Sequence, residues 1–399
     1  MTSNQVSAGG LLQLIRSGRA NTRADLQRAT GLSRSTVGQR LDLLNRAGWL
    51  RHTTGTSTGG RPCDQIEFDP GHASVIAVDL ETRHARAAVL DLAGNVLAED
   101  TGDLDIARGP EEVLDRVAGR LPDLIRAAGT TPATVCGIGL SVPGPVHWET
   151  GRVVQPPIMP GWDQYPIRER LQETYAQHVG DSAEPGPVPV FVDNDANLMA
   201  LAEQQANHRD CGSFVLVKVS TGIGAGVMIG DEVYRGIDGG AGDIGHIRMH
   251  DHSDALCMCG SHGCLAAVAS GRALARALSE RGLPTASGSD VRRLLADGNP
   301  EAIQLAQQAG RLVGAVLATV VTLLNPGVLM IAGDLAGLPF NSGVREVLYQ
   351  RAMPRTTANL SIVSSQLGDR AGLVGAAAMV VRLLYSPEHA DERLTRLAP

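Results

Sequence analysis

Lysine is almost missing from this chain. Of its 35 basic residues only Lys218 is a lysine and the other 34 are arginine, a bias that points to a genome rich in G and C and says nothing about mechanism. Cysteine is scarce as well. Six in 399 residues do not make a disulfide framework, and Cys63, Cys136 and Cys211 are scattered as in a reducing cytoplasm. Met1 to Arg16 lacks a basic start followed by a long apolar core, so no secretory signal is expected. Leu312 to Gly333 carries no charge, but Asn325-Pro326-Gly327 divides it into a helix and then a short strand. Low-complexity tracts and short-period repeats are also absent. A soluble cytoplasmic protein with no membrane partner is the expectation.

The length suggests two or three domains, and a hydrophobic share of 43% supports globular ones. Charge is unevenly placed. Residues 1–62 hold nine arginines against Asp25 and Asp42, a balance of +7, so the rest of the chain carries -14 of the net -7. A basic head on an acidic body suits contact with a polyanion.

That head, Leu11 to Leu50, has the periodicity of three short helices. Leu11, Leu12 and Ile15 face one way in the first. Thr22 starts the second, with Leu26 and Ala29 inward, and Gly31 makes the turn. Ser33 caps the third, whose buried stripe is Val37, Leu41 and Leu44. This is a winged helix-turn-helix pattern, and the exposed face of its third helix offers Arg34, Ser35, Thr36, Gln39 and Arg40 to base edges and phosphates in a major groove. The wing, His52 to Arg61, ends in Gly59-Gly60-Arg61-Pro62, where Arg61 on a slim backbone suits a minor groove. A plain protein-binding module is the alternative, against which the +7 balance favours double-stranded DNA.

Past Pro62 the sequence alternates strands and helices, the mark of α/β layers. Ser74 to Leu80, Ala85 to Asp91 and Asn95 to Asp100 read as a meander. Pro110 to Ala128 reads as one amphipathic helix, and Val135 to Val142 and Val188 to Val192 as buried strands. Phe214 to Val219 and Gly224 to Ile229 flank the Gly-rich turn Ser220 to Gly226. Helices follow at Ser270 to Arg281, Asp290 to Asp297, Glu301 to Leu324, Val344 to Ala352 and Ala371 to Leu384, with strands at Val328 to Gly333 and Ser361 to Ser364.

The stretch Gly239 to Cys264 organises the chain. His246, then Cys257, Cys259 and Cys264, supply one nitrogen and three sulfur donors, the set that a tetrahedral Zn2+ prefers, and four protein ligands leave no open position for catalytic water. The metal is therefore structural. His250, His252 and His262 compete for the nitrogen position, and the glycines around His246 place it first. Loop thiols or a disulfide are the alternative.

Several motifs coincide: Gly137 to Pro145, Val192-Asp193-Asn194-Asp195-Ala196-Asn197, the Thr221 to Gly226 turn, and Gly239 to Cys264. Together they resemble the ROK family of repressors, open reading frames and kinases, and the winged head is similar to its xylose and N-acetylglucosamine repressor branch. The resemblance implies a two-lobed, actin-like ATPase (ribonuclease H-like) fold with a zinc loop over 246–264. It implies domains at 1–70, 71–197 and 198–370, with a helix about 371–390 packing back on the first lobe. By the same resemblance Pro143, Gly144, Asn194, Asp195, Asp243 and His246 line a sugar site, Asp195 stands where the kinases keep their general base, and His246 both ligates zinc and touches the sugar. Taken alone, Asn194-Asp195 favours a helix-capping or turn-forming role over a sugar site.

Departures from the kinases are specific. Their first strand ends in Asp, an apolar residue, Gly, Gly, Thr, whose slim backbone approaches ATP phosphates; this chain has Asp79-Leu80-Glu81-Thr82-Arg83-His84. Gly333-Asp334 replaces a glycine pair, Asp243 stands for a usual Glu, and Ala266 for another. ATP binding and kinase activity are therefore not expected, and Asp195 is vestigial as a base. The expectation is a transcriptional regulator, a homodimer or homotetramer on its operator, with a sugar or sugar derivative as effector. A sugar kinase that also binds DNA is the alternative, and a zinc-stapled scaffold without a small ligand is a third.

Overall fold

A computed structural model describes residues 7–54, 64–179 and 187–397. The helices α1 (Ala8–Arg16), α2 (Arg23–Thr30) and α3 (Arg34–Arg46) are followed by an antiparallel ribbon of β1 (Leu50–Thr54) and β2 (Asp64–Phe68). Each helix begins at a hydroxyl that accepts a backbone amide: Ser7 from Gly10, Thr22 from Asp25, Ser33 from Thr36. Such caps satisfy amides that the helix itself leaves without partners. Leu11, Leu12, Ile15, Leu26, Val37, Leu41 and Leu44 are buried as their spacing predicts. Ala29 is exposed instead. Thr30 takes the inward place, one turn from Leu26, because its hydroxyl donates to the Leu26 carbonyl at 2.6 Å and so goes under without an unpaired polar group. Most of the expected wing, with Arg61, lies outside the described residues.

The first α/β unit contains β3 (Ser74–Leu80), β4 (His84–Asp91), β5 (Val96–Asp103), α4 (Pro110–Ala118), α5 (Leu121–Ala127), β6 (Val135–Val142), the hairpin β7 (Val146–His147) and β8 (Arg152–Val153), α6 (Ile167–Val179) and β9 (Val190–Asn194). The single helix expected over Pro110 to Ala128 is two. Pro122 has no amide hydrogen to give and its ring crowds the preceding turn, so the chain restarts at Leu121. The second unit follows α7 (Asp195–Asn207): β10 (Ser213–Val219), β11 (Ile223–Ile229), β12 (Glu232–Val233), α8 (Leu265–Ala269), α9 (Gly271–Glu280), α10 (Gly288–Ala296), α11 (Pro300–Leu324), β13 (Val328–Ala332), α12 (Leu338–Arg351), α13 (Pro354–Thr357) and β14 (Ser361–Ser364). α12 begins six residues before the expected Val344, since Asn341, Ser342 and Gly343 dilute the apolar period of its first turns.

The two sheets run in the orders β5-β4-β3-β6-β9 and β12-β11-β10-β13-β14. In each, three antiparallel strands are extended by two parallel ones. The same topology thus occurs twice, with no repeat visible in the sequence. β3, β6 and β13 are buried along their whole length, as strands covered on both faces must be. α11 is the one helix among the described residues long and apolar enough to cross a membrane, but it lies along α12 with Val313, Leu317 and Val321 buried.

Between the sheets lie α7, packed on β10 and β11, and α14 (Ala371–Leu384), packed on β3 and β6. They approach so closely that a Cβ on Gly375 would overlap the Leu198 carbonyl. Glu203 of α7, fully buried, fixes the entry to α14: its Oε1 accepts from Ser365 Oγ at 2.5 Å and from the Gln366 and Leu367 amides at 2.9 Å each. α14 ends at Leu384, and a further helix, α15 (Pro387–Leu397), turns back onto α1. A Cβ on Gly9 would overlap the Pro387 carbonyl, and the Gly9 amide donates to Asp391 Oδ1 at 2.7 Å. Ala390 and Leu394 join the buried cluster of Leu11, Leu12 and Leu41. The C-terminal segment therefore completes the N-terminal head as well as the first sheet.

Candidate ligand cleft and metal centre

Strand ends from both sheets converge at one place. Asp79 is the last residue but one of the central strand β3, Pro143 and Gly144 follow β6, Asn194 ends β9, and Thr221 follows β10. In doubly built α/β folds the carboxyl ends of parallel strands are where ligands sit. Asn194 caps α7: its Oδ1 accepts from the Ala196 amide at 2.9 Å and the Asn197 amide at 3.4 Å, while its Nδ2 donates to the Gly144 carbonyl at 3.0 Å. The capping role that Asn194 suits on its own is thus real, and one Nδ2 hydrogen remains to meet a ligand. Pro143 is half-buried and Gly144 buried.

Asp195 is 8% exposed. Its Oδ1 accepts from the Ala196 amide at 2.7 Å, and its Oδ2 accepts from Lys218 Nζ at 2.6 Å. Burial by itself would lower the Lys218 ammonium, but the Asp195, Asp79 and Glu81 charges outweigh it and hold Lys218 above the ordinary lysine range. Asp79 is 4% exposed and its Oδ1 has no hydrogen-bond partner among the described residues. Burial pushes the Asp79 carboxyl up to about 6, with Lys218 pulling it back and Glu81 adding to the rise. Lys218 gave one signal in the sequence, a lone charge inside the apolar strand Phe214 to Val219.

A second ion pair steadies the same turn. Asp193, 1% exposed, accepts at Oδ2 from Arg235 Nε at 3.0 Å and Nη2 at 2.7 Å, and at Oδ1 from Asn197 Nδ2 at 3.1 Å. The Arg235 guanidinium lies 3.6 Å from the centroid of Trp148. An arginine that donates twice to one buried carboxylate oxygen and stacks on a ring is a strong clamp, and it ties the segment after β12 to the β7–β8 hairpin. None of the three residues stands out by sequence spacing.

His246, Cys257, Cys259 and Cys264 are brought together so that their ligand atoms all lie within 4.8 Å of one another. Cys257 Sγ is 3.8 Å from His246 Nδ1, and Cys259 Sγ is 3.7 Å from Cys264 Sγ. A disulfide has sulfurs about 2 Å apart, so these thiols are unbridged. Four donors on a tetrahedron with Zn–S of about 2.3 Å stand about 3.8 Å apart, which the observed spacings match. The set fits a soft divalent ion, and His250, His252 and His262 are not part of it. Burial, with Cys257 and Cys259 close by, pushes the Cys264 thiol up to about 12 in the absence of an ion. Asp243 sits at the rim of this loop, its carboxyl pushed up by partial burial and pulled back by His246.

On the head, Arg34, Ser35 and Gln39 of α3 are exposed, and Thr36 and Arg40 are half-buried. Ser35 and Thr36 are engaged through their hydroxyls with Ser33, at 2.8 Å each. Arg34 and Gln39 are therefore the better placed of the five to meet an outside partner. The ribbon beside them is braced by His52, which bonds Asn45 at 3.1 Å and Asp64 at 3.1 Å.

Comparison with known proteins follows this division of the chain. The family profile described as ROK family matches residues 75–382. A putative xylose repressor of Caldicellulosiruptor sp. is 29% identical over 95% of this chain and 96% of its own length. A glucokinase of Streptomyces coelicolor is 30% identical, over 76% of this chain and 96% of its own length. The crystal structure of a ROK family transcriptional regulator, a homologue of the E. coli Mlc protein, superposes with a TM-score of 0.80 at 26% identity, covering 98% of this chain and 99% of that one.

Proposed function

This chain belongs to the ROK family, and from that premise we propose that it is a DNA-binding transcriptional repressor of sugar-metabolism genes that responds to a sugar held in its cleft. The glucokinase similarity covers 76% of this chain, whereas the similarity to a repressor covers 95% and to the solved regulator 98%, the basic head included. One physical connection carries the reading. α14 starts against Asp79, where a Cβ on Gly372 would overlap the carboxylate, and ends at Tyr385, which packs on Trp49 and Phe68 of the head. Fourteen helical residues make a rod of about 20 Å between cleft and head.

In this reading the head is a winged helix-turn-helix, α3 lies in the major groove and Arg61 reaches a minor groove. A homodimer or homotetramer would present paired heads to half-sites about one helical turn apart or a multiple of it. The sugar site is made by Pro143, Gly144, Asn194, Asp195, Asp243 and His246. An amide that donates beside a carboxylate that accepts suits vicinal hydroxyls. A sugar that engages both sides of the cleft favours one arrangement of the two units, and only such a difference in affinity can move the heads. His246, Cys257, Cys259 and Cys264 hold Zn2+ as a staple: the ion fixes the loop, and His246 Nε2 stays available to the sugar. The compartment is the cytoplasm, where the operator is.

Arg34→Ala and Gln39→Ala are each expected to lose about 1–3 kcal/mol of discrimination between operator and unrelated DNA, and Arg61→Ala to weaken both alike. Fluorescence anisotropy on selected genomic fragments reads this, and unchanged discrimination in Arg34→Ala and Gln39→Ala would remove α3 from the groove.

Asp195→Asn is expected to abolish release of DNA by the inducing sugar while leaving DNA affinity unchanged. A screen of pentoses, hexoses and N-acetylated sugars supplies the inducer. The second reading is a sugar kinase with a DNA-binding head, which the glucokinase similarity and the retained Thr221 to Gly226 turn favour. Sugar-dependent ATP turnover that Asp195→Asn abolishes would decide for it.

A further inference from the structure

A nucleotide's phosphates with their divalent ion would need slim backbone to approach them and carboxylate oxygens free to meet the ion. The residues of this chain do not fit that group. Thr82 Oγ1 and Thr221 Oγ1 bond each other at 2.9 Å, tying the loops after β10 and β3 together across the space between them. Glu81 adds a negative side chain on the same loop. Against Asp195, the first residue of α7, stands a cation supplied by the protein: Lys218 Nζ lies 2.6 Å from Asp195 Oδ2, its side chain is only 13% exposed, and the Asp79 charge acts on it as well.

We propose that Lys218 is a built-in counter-cation that occupies the electrostatic place of the metal ion, so that the cleft takes an uncharged sugar and refuses a metal-bound nucleotide. This rests on the sugar-cleft reading for the ligand but not for the cation. A cation-binding centre needs carboxylate oxygens free to turn toward the ion, and the ammonium holds Asp195 Oδ2 while adding like charge where the ion would sit. Asp195 is thereby fixed as a hydrogen-bond acceptor without an exogenous ion, and Lys218 acts through it as a positioning residue. Asp79 Oδ1, buried and without a partner among the described residues, is the oxygen that an ion would take if the ammonium were gone.

The single lysine makes the test direct. Protein labelled with 15N at lysine Nζ gives one ammonium signal. That signal is expected to persist above the ordinary lysine value of 10.5, and its loss at or below that pH would overturn the carboxylate clamp. In the second arm Mn2+ alone, followed by electron paramagnetic resonance on zinc-loaded full-length protein, is expected to bind Lys218→Met at least ten-fold (order of magnitude) more tightly than wild type, while Lys218→Arg matches wild type. Wild type that binds Mn2+, or Mn2+ with ATP, as tightly as Lys218→Met would refute the proposal. If Lys218→Met does not fold, the labelled signal and the Mn2+ titrations of wild type and Lys218→Arg still decide it. A sugar that fails to bind any of these proteins would count against the sugar cleft and leave the metal arm standing.

Discussion

Cys264→Ala is expected to release the metal and unfold the loop that carries His246 and Asp243. Cys264 is 1% exposed at the start of α8, and its sulfur faces Cys259 at 3.7 Å. Losing one of four ligands removes the preference for a closed tetrahedral site. An ion at a thousand times its dissociation constant stabilises the folded chain by about 4 kcal/mol. For a unit of this size, at about 2–4 °C per kcal/mol, the melting temperature should fall by roughly 10 °C. Elemental analysis should find one zinc per wild-type chain and none in the variant, and a chelator should bring wild type down to the variant's melting point. Ligating thiols must lose their protons, so the ion should leave as pH falls. A variant that keeps both its zinc and its melting temperature would show that the four side chains are not a metal centre.

The second large effect is expected at Tyr385, where α14 meets the head. Its ring is fully buried, 5.1 Å from Trp49 and 5.1 Å from Phe68 by centroids, with Arg393 over its face at 4.8 Å. Arg16 Nη1 donates to the Tyr385 carbonyl at 3.0 Å, and burial lowers the Arg16 guanidinium to about 10. Replacing a buried aromatic ring by alanine costs about 3–5 kcal/mol. Tyr385→Ala should therefore loosen the head from the body, lowering stability by that amount in denaturant titrations and abolishing the effect of sugar on DNA binding. Tyr385→Phe keeps the ring, should cost about 1 kcal/mol for one hydrogen bond, and should leave the sugar response intact. A Tyr385→Ala protein that still lets go of DNA on adding the inducing sugar would break the proposed route through α14.

The hydroxyl of Tyr385 also gives this junction a pH dependence. His72 Nδ1 lies 2.5 Å from the Asp69 carbonyl, which can only accept, so Nδ1 carries the hydrogen and Nε2 accepts from Tyr385 at 2.6 Å. Burial lowers the pKa of His72 below its ordinary value, with Asp69 opposing. Below that ordinary value, about 6.5, the unfolded chain binds the proton more readily than the folded one. The His72 contribution is thus complete above about pH 6.5 and is lost as pH falls toward the lowered value.

Much of the site was legible because its signals are local. Cys257, Cys259 and Cys264 lie within one turn-rich loop, close enough that few backbones could keep them apart. Ser33 and the stripe Val37, Leu41 and Leu44 set α3 by capping and period alone. Buried strands such as Val328 to Ala332 announce themselves by unbroken apolar character. Where these local signals were diluted, by Pro122 within an amphipathic run or by Asn341 to Gly343 at the start of α12, the element boundaries moved.

Sequence by itself determined the His246, Cys257, Cys259 and Cys264 set that could hold a metal ion, the three-helix head with its arginine-bearing α3, and the side chains of Glu81 and Thr82 at the end of β3, since each depends on residue type at short spacing. Only the tertiary structure decided that Lys218 pairs with Asp195, that Arg235 clamps Asp193 over Trp148, and that α15 returns to roof the N-terminal head. Those pairings join positions tens to hundreds of residues apart, and their strength comes from burial, which no local pattern encodes.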